Sequence, residues 1–277
     1  MTSSVTTATP AGSADSPTPI SEADGVLTIT VSTSNAGTSL SREAVTEGRS
    51  VLQSVARDER DVGAILLVGT GKNFCAGGDV RAFASAPDRP EFLRGLADDF
   101  HAFIGALYEA NRPVVAAVNG WAAGAGMSLV LHADIAIGGT STHLRPAYPG
   151  IGLSPDGGMT WTLPRIVGLA KARSIILTDA VLDASEALSL GVLSEVVDDD
   201  AVSATARAAA EKLATGPRGS LSATRALLSA SADRTLVEQL VHEGHSISLL
   251  SGTSEGVEGV DAFTEKRRPD YGAARAR

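Results

Sequence analysis

Cysteine is nearly absent: Cys75 is the one example in 277 residues. No disulfide can close within such a chain, which predicts a reducing, cytoplasmic setting. A free cysteine behaves as a small hydrophobe, so Cys75 is expected to be buried packing. No histidine or cysteine cluster has metal-ligand spacing. Basic charge is also scarce. The 23 Lys and Arg face 32 Asp and Glu, for a net charge of −9. Without a broad basic surface to neutralise phosphates, nucleic acid is excluded as a partner, although a local basic pocket for one phosphorylated ligand stays compatible. Apolar runs stop well short of the roughly 20 residues needed to span a bilayer, so no membrane partner is expected. The N-terminus has neither a basic start nor an apolar stretch. Residues 1–23, rich in Ser, Thr, Ala and Pro, are expected to be a disordered tail rather than a signal peptide.

Familiar catalytic fingerprints are missing as well. Gly71-Lys72 is followed by Asn73, and Leu66 stands where a phosphate-binding loop needs its first glycine. Gly124-Ala-Gly126 would need a third glycine at the position of Leu129 to read as a dinucleotide fingerprint. No Gly-x-Ser-x-Gly turn sits between a strand and a helix.

What is present is a large apolar fraction, 43%, enough for a sizeable core. Val26 to Val31 alternates apolar and polar residues and predicts a half-buried strand. Leu40 to Ala56 predicts a helix, with Ser41 as a plausible N-cap. Ala64 to Val68 and Pro113 to Val118 are continuous apolar runs, as expected of strands covered on both faces. Phe92, Leu96, Phe100, Phe103 and Leu107 recur every three or four residues, which predicts an amphipathic helix whose aromatics pack into the core. Strand, glycine-rich loop and helix therefore repeat through the first half, as in an α/β core whose site lies beyond the carboxyl ends of strands. From Gly157 onward the pattern is mostly helical. Asp183-Ala-Ser-Glu186 reads as a capping box, and the segment after residue 205 as a run of helices.

Two glycine-rich turns follow two of the buried strands: Phe74-Cys-Ala-Gly-Gly-Asp79 and Asn119-Gly-Trp-Ala-Ala-Gly-Ala-Gly126. Small residues let a ligand approach the backbone, and two such loops could aim two N–H groups at one oxygen. On spacing alone they are equally readable as plain tight turns.

These turns, together with Ile151-Gly-Leu-Ser-Pro-Asp-Gly-Gly158, Leu182-Asp-Ala-Ser-Glu-Ala187 and Ala262-Phe-Thr-Glu-Lys-Arg267, carry a resemblance. From about Val26 onward the chain resembles the crotonase (enoyl-CoA hydratase/isomerase) superfamily. The resemblance implies a ClpP-like ββα spiral over residues 24–205. It implies a C-terminal helical trimerisation region over 206–277. It implies a homotrimer or dimer of trimers acting on an acyl-CoA thioester, with coenzyme A as part of the substrate and no separate cofactor. It sets the oxyanion hole at the N–H groups of Gly78 and Ala125. It puts Ala76, Arg81, Phe263 and Lys266 beside coenzyme A, positions that by composition read equally well as surface charge or helix packing.

Typical hydratases of this kind use two glutamates. This chain has Ser128 and Tyr148 at those positions, so two-glutamate hydration is not expected. Asp156 offers another base. It stands just before an expected helix, where a plain N-cap is the ordinary reading of Asp. The chain is nonetheless similar here to ring 1,2-epoxyphenylacetyl-CoA and 3-enoyl-CoA isomerases, in which an Asp or Glu at this spot is the sole acid–base group. The resemblance thus implies isomerisation by Asp156. Ser128, Tyr148, Trp161, His143 and Leu144 are candidates for the acyl pocket. Weak hydratase activity and a catalytically silent acyl-CoA-binding protein are the alternatives.

Overall fold

Apolar runs flanked by glycine turns become a parallel sheet. The computed structural model describes residues 18–33 and 38–276. β1 (Ile20–Ala23), β2 (Val26–Thr30), α1 (Arg42–Ala56), β3 (Ala64–Val68), α2 (Val80–Ser85), α3 (Arg89–Glu109) and β4 (Val114–Val118) come first. β5 (Trp121–Ala123), α4 (Ala125–Val130), β6 (Ile135–Gly139), β7 (His143–Arg145), α5 (Met159–Val167), α6 (Leu169–Leu177), β8 (Leu182–Asp183), α7 (Ala184–Ser189) and β9 (Glu195–Val197) follow. Five helices close the chain: α8 (Val202–Ala214), α9 (Arg218–Ala230), α10 (Leu236–Ser251), α11 (Ser254–Thr264) and α12 (Tyr271–Arg275).

The larger sheet has the order β1-β2-β3-β4-β6-β9, parallel except for β1; β5, β7 and β8 form the smaller one. β4 and β6 lie in the larger sheet, and the strands that follow them, β5 and β7, in the smaller. The chain thus winds between the sheets and closes its turns with helices, a spiral of ββα units. One core lies between the sheet, α1 and α3, around Leu27, Ile29, Leu52, Leu67, Phe103 and Leu107. A second joins the other face to α8, whose Val202, Ala206, Ala210 and Ala214 are spaced every four residues. Those small side chains let α8 sit close: a Cβ on Gly63 would lie 2.6 Å from the carbonyl oxygen of Ala214.

Three expectations change. First, α8 begins at Val202 and packs on the sheet along its whole length, so the boundary expected at residue 205 cuts a core helix. Second, the expected tail does not reach residue 23. Residues 1–17 lie outside the described residues, while Ile20–Ala23 pair antiparallel with Val26–Ile29. The turn between them is Asp24-Gly25, both at positive φ (54° and 72°), the backbone that a two-residue hairpin requires. Third, β2 is buried on both faces rather than one, because α8 covers the side carrying Thr28. Cys75 is fully buried, as expected, and burial pushes its thiol up to about 12. Ser41 caps α1 by accepting the amide of Ala44 at 3.1 Å.

Candidate active site

The two glycine-rich loops run side by side. Phe74 N–H donates to Asn119 O (2.7 Å), Cys75 N–H to Trp121 O (3.1 Å) and Ala123 N–H to Cys75 O (2.9 Å). This short parallel ladder needs bare backbone. A Cβ on Gly126 would lie 2.1 Å from the Cys75 carbonyl oxygen. Gly124, at φ 54° and ψ −121°, occupies a region that side chains disfavour. The contact carries Gly78 and Ala125 onto one wall of a single cavity. Among the described residues neither amide has a hydrogen-bond acceptor. Ala125 is the first residue of α4, where a free N–H is inherent to the helix start.

The same cavity holds Asp156, and the plain N-cap reading fails. α5 starts at Met159 behind Gly158, with no side chain capping it. The Asp156 carboxylate instead turns to Tyr148, whose O–H donates to Oδ1 at 2.5 Å. Ser128 completes the group: its hydroxyl lies 3.4 Å from the Tyr148 oxygen and donates to the Asp156 carbonyl at 3.1 Å. The three residues converge from α4, from the loop after β7 and from the turn before α5. Burial, and then the neighbouring Asp156 charge, raise the Tyr148 phenol above its ordinary value, so it stays a proton donor in this bond. Its loop is held by Asp179, which accepts from Ala147 N–H (2.7 Å) and from Arg145 Nε and Nη2 (3.0 and 2.6 Å).

The cavity measures about 850 Å³, a volume ordinary for a small-molecule site. Its polar end carries Gly78, Ala125, Tyr148 and Asp156; Leu40, Phe83, Phe92, Leu96 and Leu153 make its apolar walls. Phe92 and Leu96 thus face the cavity and not the core, unlike Phe103 and Leu107 further along α3. Phe83 and Phe92 meet edge to face, 6.4 Å between centroids. Glu43 and Asp79 also line the space but are engaged locally. Glu43 takes the Ser41 hydroxyl, and Asp79 caps α2. Arg94 and Arg145 are ion-paired to Asp98 and Asp179, whereas Arg42, also in the lining, has no ion pair among the described residues.

The other expected site residues are placed unevenly. Ala76 lines the cavity. Arg81 is exposed on α2 and is not part of the lining, although Asp79, Val80 and Ala82 around it are. Phe263 and Lys266 are exposed at the end of α11 and do not line this chain's cavity. Ser128 is wholly buried behind Tyr148 rather than on the wall. Trp161 is a correction. α5 buries Met159, Thr162 and Leu163, which turns Trp161 outward beneath the Arg165 guanidinium, 3.8 Å from its ring. His143 stacks on Trp121 at 4.9 Å, and Leu144 is core. Sequence reasoning missed Asp179, His101 and His132, none of which belongs to a motif; each acts on a partner distant in the chain.

The family model described as enoyl-CoA hydratase/isomerase matches residues 21–274. The chain belongs to this family. Within it, the chain is 34% identical over 249 residues to the 1,2-epoxyphenylacetyl-CoA isomerase of Escherichia coli, covering 89% of this chain and 95% of that one. Among solved structures, an enoyl-CoA hydratase from Polaromonas sp. JS666 superposes with a TM-score of 0.84 at 28% identity, over 90% of this chain and 97% of the other. An enoyl-CoA hydratase from Bacillus anthracis gives 0.84 at 28%, over 91% and 97%. The spiral core and terminal helices are therefore those of the crotonase fold, and the family acts on acyl-CoA thioesters. No helix among the described residues is long and apolar enough to cross a membrane.

Proposed function

We propose that this family member is an enoyl-CoA isomerase in which Asp156 moves a proton between carbons 2 and 4 of a 3-enoyl thioester. The observation that carries the reading is the Asp156 carboxylate itself: it caps no helix, lines the cavity and is fixed on one oxygen by Tyr148. Asp156 takes the proton from carbon 2. The negative charge then spreads to the thioester oxygen, where the N–H groups of Gly78 and Ala125 stabilise it. The same carboxyl returns the proton to carbon 4 and shifts the double bond. Nothing is consumed, so one acid–base group suffices. Hydration would also need a group to activate water, and the positions of the usual two glutamates hold Ser128 and Tyr148. Purified protein given a 3-enoyl-CoA should produce the conjugated 2-enoyl product, read as rising ultraviolet absorbance. Hydration of a 2-enoyl-CoA without any isomerisation would reverse the assignment.

Tyr148 orients the base in this scheme. Tyr148→Phe keeps the ring and its packing but removes the donor. Hydrogen bonds to charged groups contribute about 1.5–3 kcal/mol, so kcat is expected to fall by about 10- to 100-fold. The thioester KM should change far less. Unchanged kcat in a steady-state assay would remove Tyr148 from the mechanism.

The assembly proposed is a trimer or a dimer of trimers. α10 buries none of its residues within the chain, yet Leu236, Val237, Leu240, Val241 and Ile247 all lie on it. Such an exposed apolar stripe suits a partner surface. Phe263 and Lys266 would then serve a neighbouring chain's coenzyme A. Sedimentation at micromolar concentration should give the mass of three or six chains; a monomer would contradict this.

A further inference from the structure

The residue after Asp156 is held from both sides by histidines. Gly157 is buried at φ 61°. Its N–H donates to Nε2 of His101 on α3 at 3.1 Å, and its carbonyl lies 2.8 Å from Nε2 of His132. A carbonyl can only accept, so His132 carries its proton on Nε2; an amide can only donate, so His101 leaves Nε2 bare. The remaining nitrogen of His132, Nδ1, then accepts from the Tyr108 hydroxyl at 3.1 Å. Burial lowers the proton affinity of His132 and favours this neutral form. Tyr108 lies under the Arg225 guanidinium, 5.2 Å from its ring. Arg225 Nε in turn donates to both oxygens of Asp134 at 3.1 and 2.8 Å. Gly157 is also confined sterically: a Cβ there would lie 2.4 Å from Phe100 Cε1 and 2.9 Å from Ser128 Cβ.

Nothing in the acid–base scheme uses these histidines, and neither lines the cavity. We infer that His101 and His132 are positioning residues that clamp the Gly157 backbone and thereby aim the Asp156 carboxylate at the substrate. The inference rests on the acid–base reading of Asp156. The backbone angles between Asp156 and Gly157 set where the carboxylate points. A misplacement of about 1 Å in a reacting group costs on the order of 100-fold in rate. Two opposed bonds on one residue resist rotation of its flanking peptides better than either alone. His101 is the more informative member because it is exposed, so its replacement leaves the core intact.

The test compares His101→Leu with His101→Gln, whose side-chain oxygen reaches about as far as Nε2 and can accept the Gly157 amide. In the isomerase assay, His101→Leu is expected to lower kcat by about 10-fold or more with KM nearly unchanged, and His101→Gln to restore most of the loss. His132→Leu should act in the same direction. If it does not fold, the His101 pair alone decides. Combined with Asp156→Asn, His101→Leu should reduce the residual rate no further. Wild-type kcat in His101→Leu, no rescue by Gln, or an undiminished extra loss in the Asp156→Asn background would each overturn the positioning role. Activity in Asp156→Asn itself separates the two ideas. If that variant turns over normally, the acid–base reading and the clamp fall together. If it is inactive while His101→Leu is unimpaired, only the clamp falls.

Discussion

Asp156→Asn is expected to lower isomerase kcat by about 10²- to 10⁴-fold, the usual contribution of a positioned acid–base group. The expected specificity of the loss comes from the surroundings of the side chain. Its side-chain partner among the described residues is the Tyr148 hydroxyl, a donor, and an amide oxygen can take that bond as well as a carboxylate oxygen. The helix behind it is not capped by Asp156, so no helix start is lost. Melting temperature and affinity for coenzyme A thioesters should therefore stay near those of the parent. What disappears is the capacity to hold a proton at neutral pH. Ser128→Ala is the matching control. That hydroxyl has no adjacent base and does not reach the cavity, but it donates to the carbonyl of the Asp156–Gly157 peptide, so its loss should cost far less than Asp156→Asn and no more than His101→Leu. Full activity in Asp156→Asn with an unchanged melting temperature would end the proposal and direct attention to Ser128 and Tyr148 or to a silent acyl-CoA-binding role.

Ala125→Pro should lower kcat by about 10²- to 10³-fold if the Ala125 amide holds the thioester oxygen, the cost of removing one oxyanion donor. Proline would normally be a poor probe inside a helix. Here Ala125 is the first residue of α4, where proline is well tolerated because the amide has no helical partner. Gly124 before it already lies in a conformation that is the mirror image of extended backbone, so no L side chain is forced to move. A large loss in kcat with the melting temperature preserved supports the hole. Parental turnover would show that the reaction does without this donor, whatever the direction of the Gly78 amide.

The elements read correctly in advance are those governed by neighbours in the chain. The continuous apolar run Ala64–Val68 forms a buried strand, and the period in Leu96, Phe100, Phe103 and Leu107 forms α3. Ser41 caps α1, and the glycine-rich turns lie where two backbones touch. The Asp24-Gly25 hairpin was equally local, but the Ser- and Pro-rich composition before it obscured the signal. The family motifs also placed Ser128, Tyr148 and Asp156 as candidates, although spacing alone could not bring them within hydrogen-bond reach of one another.

Other features depended on segments far apart. Thr28 looks like a solvent-facing position until α8 covers it. Trp161 looks like a pocket aromatic until Met159, Thr162 and Leu163 claim the inner face of α5. Phe92 and Phe103 share one helical stripe, yet the first meets the cavity and the second the core, where α3 packs on α1. Asp156 could have capped a helix or entered a cavity, and the start of α5 at Met159 settles which. The histidine clamp on Gly157 joins residues 56 and 25 positions apart. Periodicity and turn chemistry act over a few residues through sterics and local hydrogen bonds. Which face is covered, and which side chain meets the carboxylate, depends on contacts made only when distant segments pack.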